Sequence, residues 1–273
     1  MRNTILFGVF VLLLFVTIFA HQTEAGTFVQ SKGNSAAGAT TVTTIFDAAP
    51  TSGNLLVAVG ATNLAVGFNI PAGWSIAISE SITLPSQAIF YKVSNGTETS
   101  ITLTSVAIAD VLGLHIYEFS GQGVIGSVST NSETGLTTAL DQTVTSGVIT
   151  TGTTNQITIG AFVAAGGFGG YENTWGGSFT ETEDFGNTSG RLSGGLNLVN
   201  SISSNLEATT ALIGAGSGVT WRGQIVSFQE AAATYLKLTG TATMDAGDSN
   251  ELTITAYNSG NAVDTSYSGT KTL

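Results

Sequence analysis

Beyond the first 25 residues, the longest unbroken apolar stretch is Val111–Phe119, V-L-G-L-H-I-Y-E-F, closed by Ser120-Gly121. Nine such residues with a Gly inside and a turn after them suit a strand better than a helix. A strand apolar on both faces needs a layer on each side, which predicts a sheet packed on a sheet. Shorter runs surround it. Thr41–Phe46 alternates, Leu55–Val59 is compact and apolar, and further strands are expected at Val124–Val128, Gln156–Val163, Ser178–Glu183, Leu196–Ser201, Glu207–Leu212 and Thr220–Phe228. Asn95-Gly96, between Gln87–Ser94 and Thr97–Ser105, reads as the type I′ connection of a β-hairpin, because both residues tolerate positive φ. Lys32–Ala39 reads as a small-residue loop, and Ala164–Gly177, with six glycines, as a second one. No stretch sustains a 3.6-residue period. The expected fold is all-β: a two-sheet antiparallel β-sandwich, jelly-roll-like.

The two ends read differently. Residues 1–25 have the form of a signal peptide: Arg2, the apolar run Ile5–Ala20, then Thr23-Glu24-Ala25 with small residues at the cleavage positions. The run is shorter than the ~20 residues that span a bilayer. The sandwich is assigned to 26–230 and a linker to 231–234, around Ala231-Ala232-Ala233. Residues 235–273 supply three further strands, Tyr235–Leu238, Leu252–Tyr257 and Ser266–Leu273. That is too little for an immunoglobulin-like sandwich of about 100 residues. Either the natural protein is longer, or these strands add to the main sheet.

Composition changes the picture in three ways. Charged residues are only 9% against 42% hydrophobic, which excludes the disordered class, where charge is high and apolar content low. Ser, Thr, Asn and Gly therefore supply the polar surface. The net charge is −11, with seven Lys and Arg scattered singly. A nucleic-acid partner needs clustered basic residues, so none is expected, and stable membrane insertion is not expected once the leader is removed. There is no cysteine, which removes zinc-thiolate sites, iron–sulfur clusters and cysteine nucleophiles. An exported domain without disulfides points to a bacterial or archaeal source.

Candidate chemistry is sparse. His115 is the only histidine outside the leader, so a Ser-His-Asp arrangement would have to pass through it; the simpler reading is a packed, hydrogen-bonded histidine. Glu181 and Glu183, with Asp184 beside them, could share one strand face at the ~6–7 Å that a strand rise gives. Glycosidases use carboxylates at about that spacing, but such pairs are common on solvated strands. Asp245, Asp248, Asn250 and Glu251 offer the hard oxygens calcium takes, yet a turn between strands accounts for them. Tyr171 and Trp175 lie among glycines with Glu172 and Asn173. There they could stack on a sugar and hydrogen-bond its hydroxyls, or fold back as cover for the sandwich. Trp74 and Trp221 are expected in the core. Asn95-Gly96-Thr97 and Asn187-Thr188-Ser189 match the glycosylation sequon. No catalytic residue, metal or cofactor is expected.

Short landmarks in the main segment look like a β-sandwich domain of bacterial secreted and surface proteins. They are Gly53-Asn54-Leu55-Leu56-Val57, Pro71-Ala72-Gly73-Trp74, Phe90-Tyr91-Lys92-Val93, Tyr117-Glu118-Phe119-Ser120-Gly121 and Trp221-Arg222-Gly223. The tail, with Leu238-Thr239-Gly240, Leu252-Thr253-Ile254-Thr255-Ala256-Tyr257 and Gly260-Asn261-Ala262-Val263, resembles the opening of a bacterial Ig-like repeat. The resemblance implies a secreted or cell-surface role, structural or adhesive, with surface glycans, other surface proteins or copies of itself as partners. The alternative is a carbohydrate-binding module using Tyr171 and Trp175.

Overall fold

The computed structural model describes residues 26–109, 111–120, 125–138, 141–150, 156–166, 170–171, 175–187, 190–199, 205–213, 218–230, 233–239, 253–258 and 263. The leader therefore lies outside the described residues. Among the described residues every regular element is a strand. The first eight are β1 (Thr27–Ala36), β2 (Ala39–Ile45), β3 (Leu55–Thr62), β4 (Phe68–Asn69), β5 (Ser75–Glu80), β6 (Ser86–Val93), β7 (Ser100–Ala109) and β8 (Leu112–Ser120). The next eight are β9 (Ile125–Leu136), β10 (Thr143–Thr145), β11 (Gln156–Ala165), β12 (Gly170–Tyr171), β13 (Thr180–Asn187), β14 (Gly190–Val199), β15 (Thr209–Ile213) and β16 (Thr220–Glu230). β17 (Ala233–Thr239) and β18 (Thr253–Asn258) follow.

Strands β1–β16 form four stacked layers. Two five-stranded antiparallel sheets, β1-β8-β3-β6-β5 and β13-β14-β11-β16-β9, face each other in the middle. Leu55, Val57, Val59, Ile89, Tyr117 and Phe119 of one interleave with Ile157, Ile159, Ala161, Val226 and Phe228 of the other. A three-stranded sheet, β2-β7-β4, covers the outer face of the first, burying Val42, Ile101 and Leu103 against Leu56, Ala58 and Phe90. Its counterpart β10-β15-β12 covers the second, with Val144 and Leu212 against Phe162 and Trp221. β3, β8 and β11 each have a core on both sides, so all eight residues of β3 are buried. This is the physical source of the unbroken apolar runs: β8 is Leu112–Ser120 and is buried as far as Phe119.

The order in the second set of eight strands repeats the first. Replacing each of β1–β8 by the strand eight places later converts β1-β8-β3-β6-β5 into β9-β16-β11-β14-β13, and β2-β7-β4 into β10-β15-β12. Each half thus has the eight-stranded, double-sheet connectivity of a jelly roll. The registers match as well. Leu55 lies opposite Phe119 and Val59 opposite His115; Ile157 lies opposite Phe228 and Ala161 opposite Gln224. Thr41-Val42-Thr43 on β2 and Thr143-Val144-Thr145 on β10 occupy the same place, with Val42 and Val144 both turned into a core. The expected sandwich and jelly-roll connectivity are present, but as two facing copies and not one.

Three expectations need correction or qualification. The Asn95-Gly96 hairpin is absent: β6 and β7 belong to different sheets. Only Gly96 has positive φ, at 83°, where a type I′ turn needs two such residues. Asn95 Oδ1 instead accepts bonds from the Thr97 amide (3.0 Å) and hydroxyl (2.7 Å). Ser94 is anchored to Asn54 and Gly53, so the chain steps up a layer and delivers Ile101 and Leu103 onto the far face of β3. Residues 32–36 are strand, not loop: β8 needs a hydrogen-bonding neighbour on its free side, and Lys32–Ala36 pair with Ile116–Leu112. In the tail, β17 and β18 pair with each other and Tyr257 bridges to Val263. The third expected strand lies outside the described residues.

Candidate functional site

Of the predicted binding residues, the structure describes Tyr171, in β12, and Trp175, ahead of β13. Tyr171 is the second residue of β12, opposite Leu212; Glu172 and Asn173 lie outside the described residues. Trp175 is 9% exposed. Its ring meets Phe162 at a centroid distance of 5.0 Å, edge to face, and Phe179 at 6.4 Å. It caps the core under β10-β15-β12, as Trp74, in the matching loop before β5, packs on the core of the first half. In this conformation the faces of Trp175 are occupied by protein. Trp221 is buried in the same core.

His115 is fully buried between the two central sheets. Desolvation pushes its pKa down to about 3, so it is neutral at ordinary pH. Its Nδ1 lies 3.0 Å from the Tyr117 hydroxyl, which lies 3.0 Å from the Thr182 hydroxyl of the facing sheet. This relay ties β8 to β13. Glu118, one position on, points to the opposite face and is also buried. Its carboxylate accepts from Asn54 Nδ2 (2.6 Å), the Thr51 amide (2.8 Å) and Gln30 Nε2. Gln30 in turn holds Ala48 through both amide ends. The carboxylate pins the β2–β3 connection. At the matching place in the second half, Ser227 donates to Gln156 Oε1 at 2.8 Å and accepts from Thr158 at 3.0 Å.

Arg222 is 4% exposed and crosses the central seam. Its Nε donates to Pro85 O at 2.8 Å and its Nη2 to Thr83 Oγ1 at 2.7 Å, with Ser132 Oγ 3.4 Å from Nη1. Burial lowers its pKa, and the charge of Glu80 works against that shift. Beside it, Gln224 Nε2 donates to Gln87 O at 3.3 Å. Both glutamines are fully buried. Gln224 Oε1 and both side-chain polar atoms of Gln87 have no hydrogen-bond partner among the described residues.

The acidic candidate is not a regular pair. A bulge shifts the register between Glu181 and Glu183, which oppose the consecutive residues Gly195 and Gly194; the i, i+2 relation of a flat strand is lost. Thr182, the extra residue, makes the bond to Tyr117. The calcium candidates Asp245, Asp248, Asn250 and Glu251 lie outside the described residues. Among the described residues no group of three or more His, Asp or Glu side chains could hold a metal, and no helix is long and apolar enough to cross a membrane. Asn95 is exposed.

Sequence reasoning passed over Glu118, Arg222, Gln87 and Gln224. For Glu118 a signal existed: a lone carboxylate inside the longest apolar run must be buried, and a buried charge needs donors. Arg222, flanked by Trp221 and Gly223, carried the same hint. Comparison of the chain with protein-family models, with curated proteins and with solved structures yields no match.

Proposed function

We propose that the chain is a secreted or cell-surface structural or adhesive β-sandwich module of a larger extracellular protein, without catalytic activity. One observation carries the reading: the outermost sheet of the first half presents hydroxyls, not charge. Thr41 and Thr43 on β2 and Ser100 and Thr102 on β7 are exposed, and the hydroxyls of Thr43 and Thr102 meet at 2.7 Å. Such an uncharged face, on which Ile45, Val106 and Ile108 are also exposed, suits contact with glycans or with like surfaces. The buried ionisable groups support a scaffold. His115 stays neutral, Glu118 holds a loop, and Arg222 holds backbone and hydroxyl groups of the β5–β6 connection. The likeness of the tail to Ig-like repeats, and the leader, support the extracellular setting.

The alternative is a carbohydrate-binding module working through the loop aromatics Tyr171 and Trp175, with Glu172 and Asn173 as hydrogen-bonding groups. A glycan array and a bead-aggregation assay on the purified protein separate the two. Aggregation of coated beads, reduced in Thr43→Val/Thr102→Val, with no glycan selected, supports the adhesive reading. Selective glycan binding lost in Tyr171→Ala at unchanged melting temperature supports the alternative. A hydrolytic activity abolished by His115→Gln would overturn both.

A further inference from the structure

We infer that each eight-stranded half is built to recognise a second unit of its own kind through the inner face of its five-stranded sheet, and that the chain is two such partners joined end to end. Most contacts between the central sheets come in matched sets. β1 packs on β13 and β5 on β9; β8 packs on β14 and β6 on β16; β3 packs on β11. Under the correspondence of the halves, β1/β13 becomes β9/β5 and β8/β14 becomes β16/β6, while β3/β11 becomes itself. That is the signature of an isologous, two-fold interface, in which one surface patch serves both partners. It is distinct from the packing of the outer sheets, which is internal to each half.

The chemistry of the patch fits a standing partner. Leu55, Val57, Val59, Ile89, Tyr117 and Phe119 have at most 1% of their surface exposed. Uncovered, they would make a continuous apolar face of the kind monomeric proteins do not carry. Tyr91 of the first half meets Phe228 of the second at 5.3 Å, so the aromatic packing also spans the seam. Polar groups at the flanks fix which unit docks. On one side Tyr117 reaches Thr182. On the other, Arg222 reaches Thr83 and Pro85, and Gln224 reaches Gln87. The residue of the first half that matches Arg222 is Gly113, since Val163 lies opposite Arg222 where Ala61 lies opposite Gly113. Two copies of the first half would have no such guanidinium. The preferred partner of the first half is therefore the second half.

The test is a protease site in a flexible insert between Ser120 and Ile125 of the full chain. After complete cleavage in native buffer at micromolar concentration, the two fragments should elute as one 1:1 particle of the intact size, as native mass spectrometry would show. Cut, unfolded in urea and returned to buffer together, they should recover that particle. Arg222→Ala should raise the concentration at which the cut halves separate at least tenfold. Leu103→Ala, in the outer core of the first half, should lower the melting temperature and leave that concentration within about threefold. Fragments that separate on cutting would overturn the inference, as would Leu103→Ala parting the halves as readily as Arg222→Ala.

Discussion

On the inner face of the first half, His115 lies beside Val59; at the matching place in the second half, Gln224 lies beside Ala161. Tyr117 is matched by Val226, Glu118 by Ser227 and Gly113 by Arg222. Leu55 with Phe119, and Ile157 with Phe228, are matched in kind. The apolar positions nearest one end of the seam have kept their character, and the polar ones have diverged. Burial explains the difference. A shared core constrains volume and polarity at its centre, whereas a buried polar group needs only a partner. The halves found different partners: a hydroxyl relay for His115, a backbone carbonyl for Gln224. Between the outer sheets the contrast runs the other way. Thr43 and Thr102 of the first are exposed, while at the matching places in the second Thr145 and Thr209 are half-buried, and Thr145 donates to Glu207.

The largest expected effect breaks the shared core. Phe228→Ala and Phe119→Ala should each cost about 3–5 kcal/mol, a fall in melting temperature of roughly 10 °C, and the two losses should be similar. A loss confined to one of them would mean that the halves do not share the seam equally. Arg222→Ala comes next. It strands the Pro85 carbonyl and the Thr83 hydroxyl without their charged donor, at about 3 kcal/mol in urea denaturation. Arg222→Lys should recover only part of this, since an ammonium cannot supply the fork.

The glycines on the outer faces of β3 and β11 sharpen the comparison. A Cβ on Gly160 would sit 2.5 Å from Ala208 Cβ, and one on Gly60 2.5 Å from Leu103 Cδ2. The end of a leucine can swing away; an alanine Cβ moves only with its backbone. Gly160→Ala should cost about 2–3 kcal/mol and Gly60→Ala about 1 kcal/mol, both read from urea denaturation midpoints. The reverse order would contradict the packing described for the outer cores.

Acid distinguishes the halves more gently. The folded pKa of His115, about 3, is below its ordinary value of 6.5, so the unfolded chain binds the proton more readily. Stability from this group is full above pH 6.5 and falls as pH drops towards 3, by about 2 kcal/mol at pH 5. His115→Gln makes the position like Gln224; it should fold at pH 7 and lose this slope. Glu98 acts at lower pH. Burial raises its carboxyl, and bonds from Lys92, Ser94 and the Asn95 amide outweigh that and bring it down to about 2; Lys92 Nζ lies 2.5 Å away. Its contribution, about 1–2 kcal/mol, is present above pH 4.5 and lost as pH falls through 2. Glu98→Gln should flatten melting curves in that window.

The all-β class was legible because the central strands are buried on both sides and leave apolar runs at Leu55–Val59 and Val111–Phe119. The duplication was not. The halves share little beyond Thr-Val-Thr at 41–43 and 143–145, the Trp before β5 and β13, and the Phe at the ends of β8 and β16, since only register and burial had to be kept. The hairpin expectation failed because Asn-Gly is equally at home in a connection between layers: the pair does mark a change of direction, but which strand follows it is decided by the packing of the sheets. The loop aromatics were ambiguous on composition alone. Whether Trp175 faces out or in depends on the gap over Gly160, where a Cβ would come within 3.2 Å of the indole ring. Arg222 could not be placed because its partners, Thr83 and Pro85, lie far back in the chain.

The central claim is that the halves are two copies of one fold sharing one core, and calorimetry tests it most directly. Residues 26–230 within the full chain should unfold in a single transition whose calorimetric and van't Hoff enthalpies agree, and Phe119→Ala or Phe228→Ala should move that transition without splitting it. Two transitions in the wild-type protein, of which each variant shifts only the one belonging to its own half, would contradict the claim.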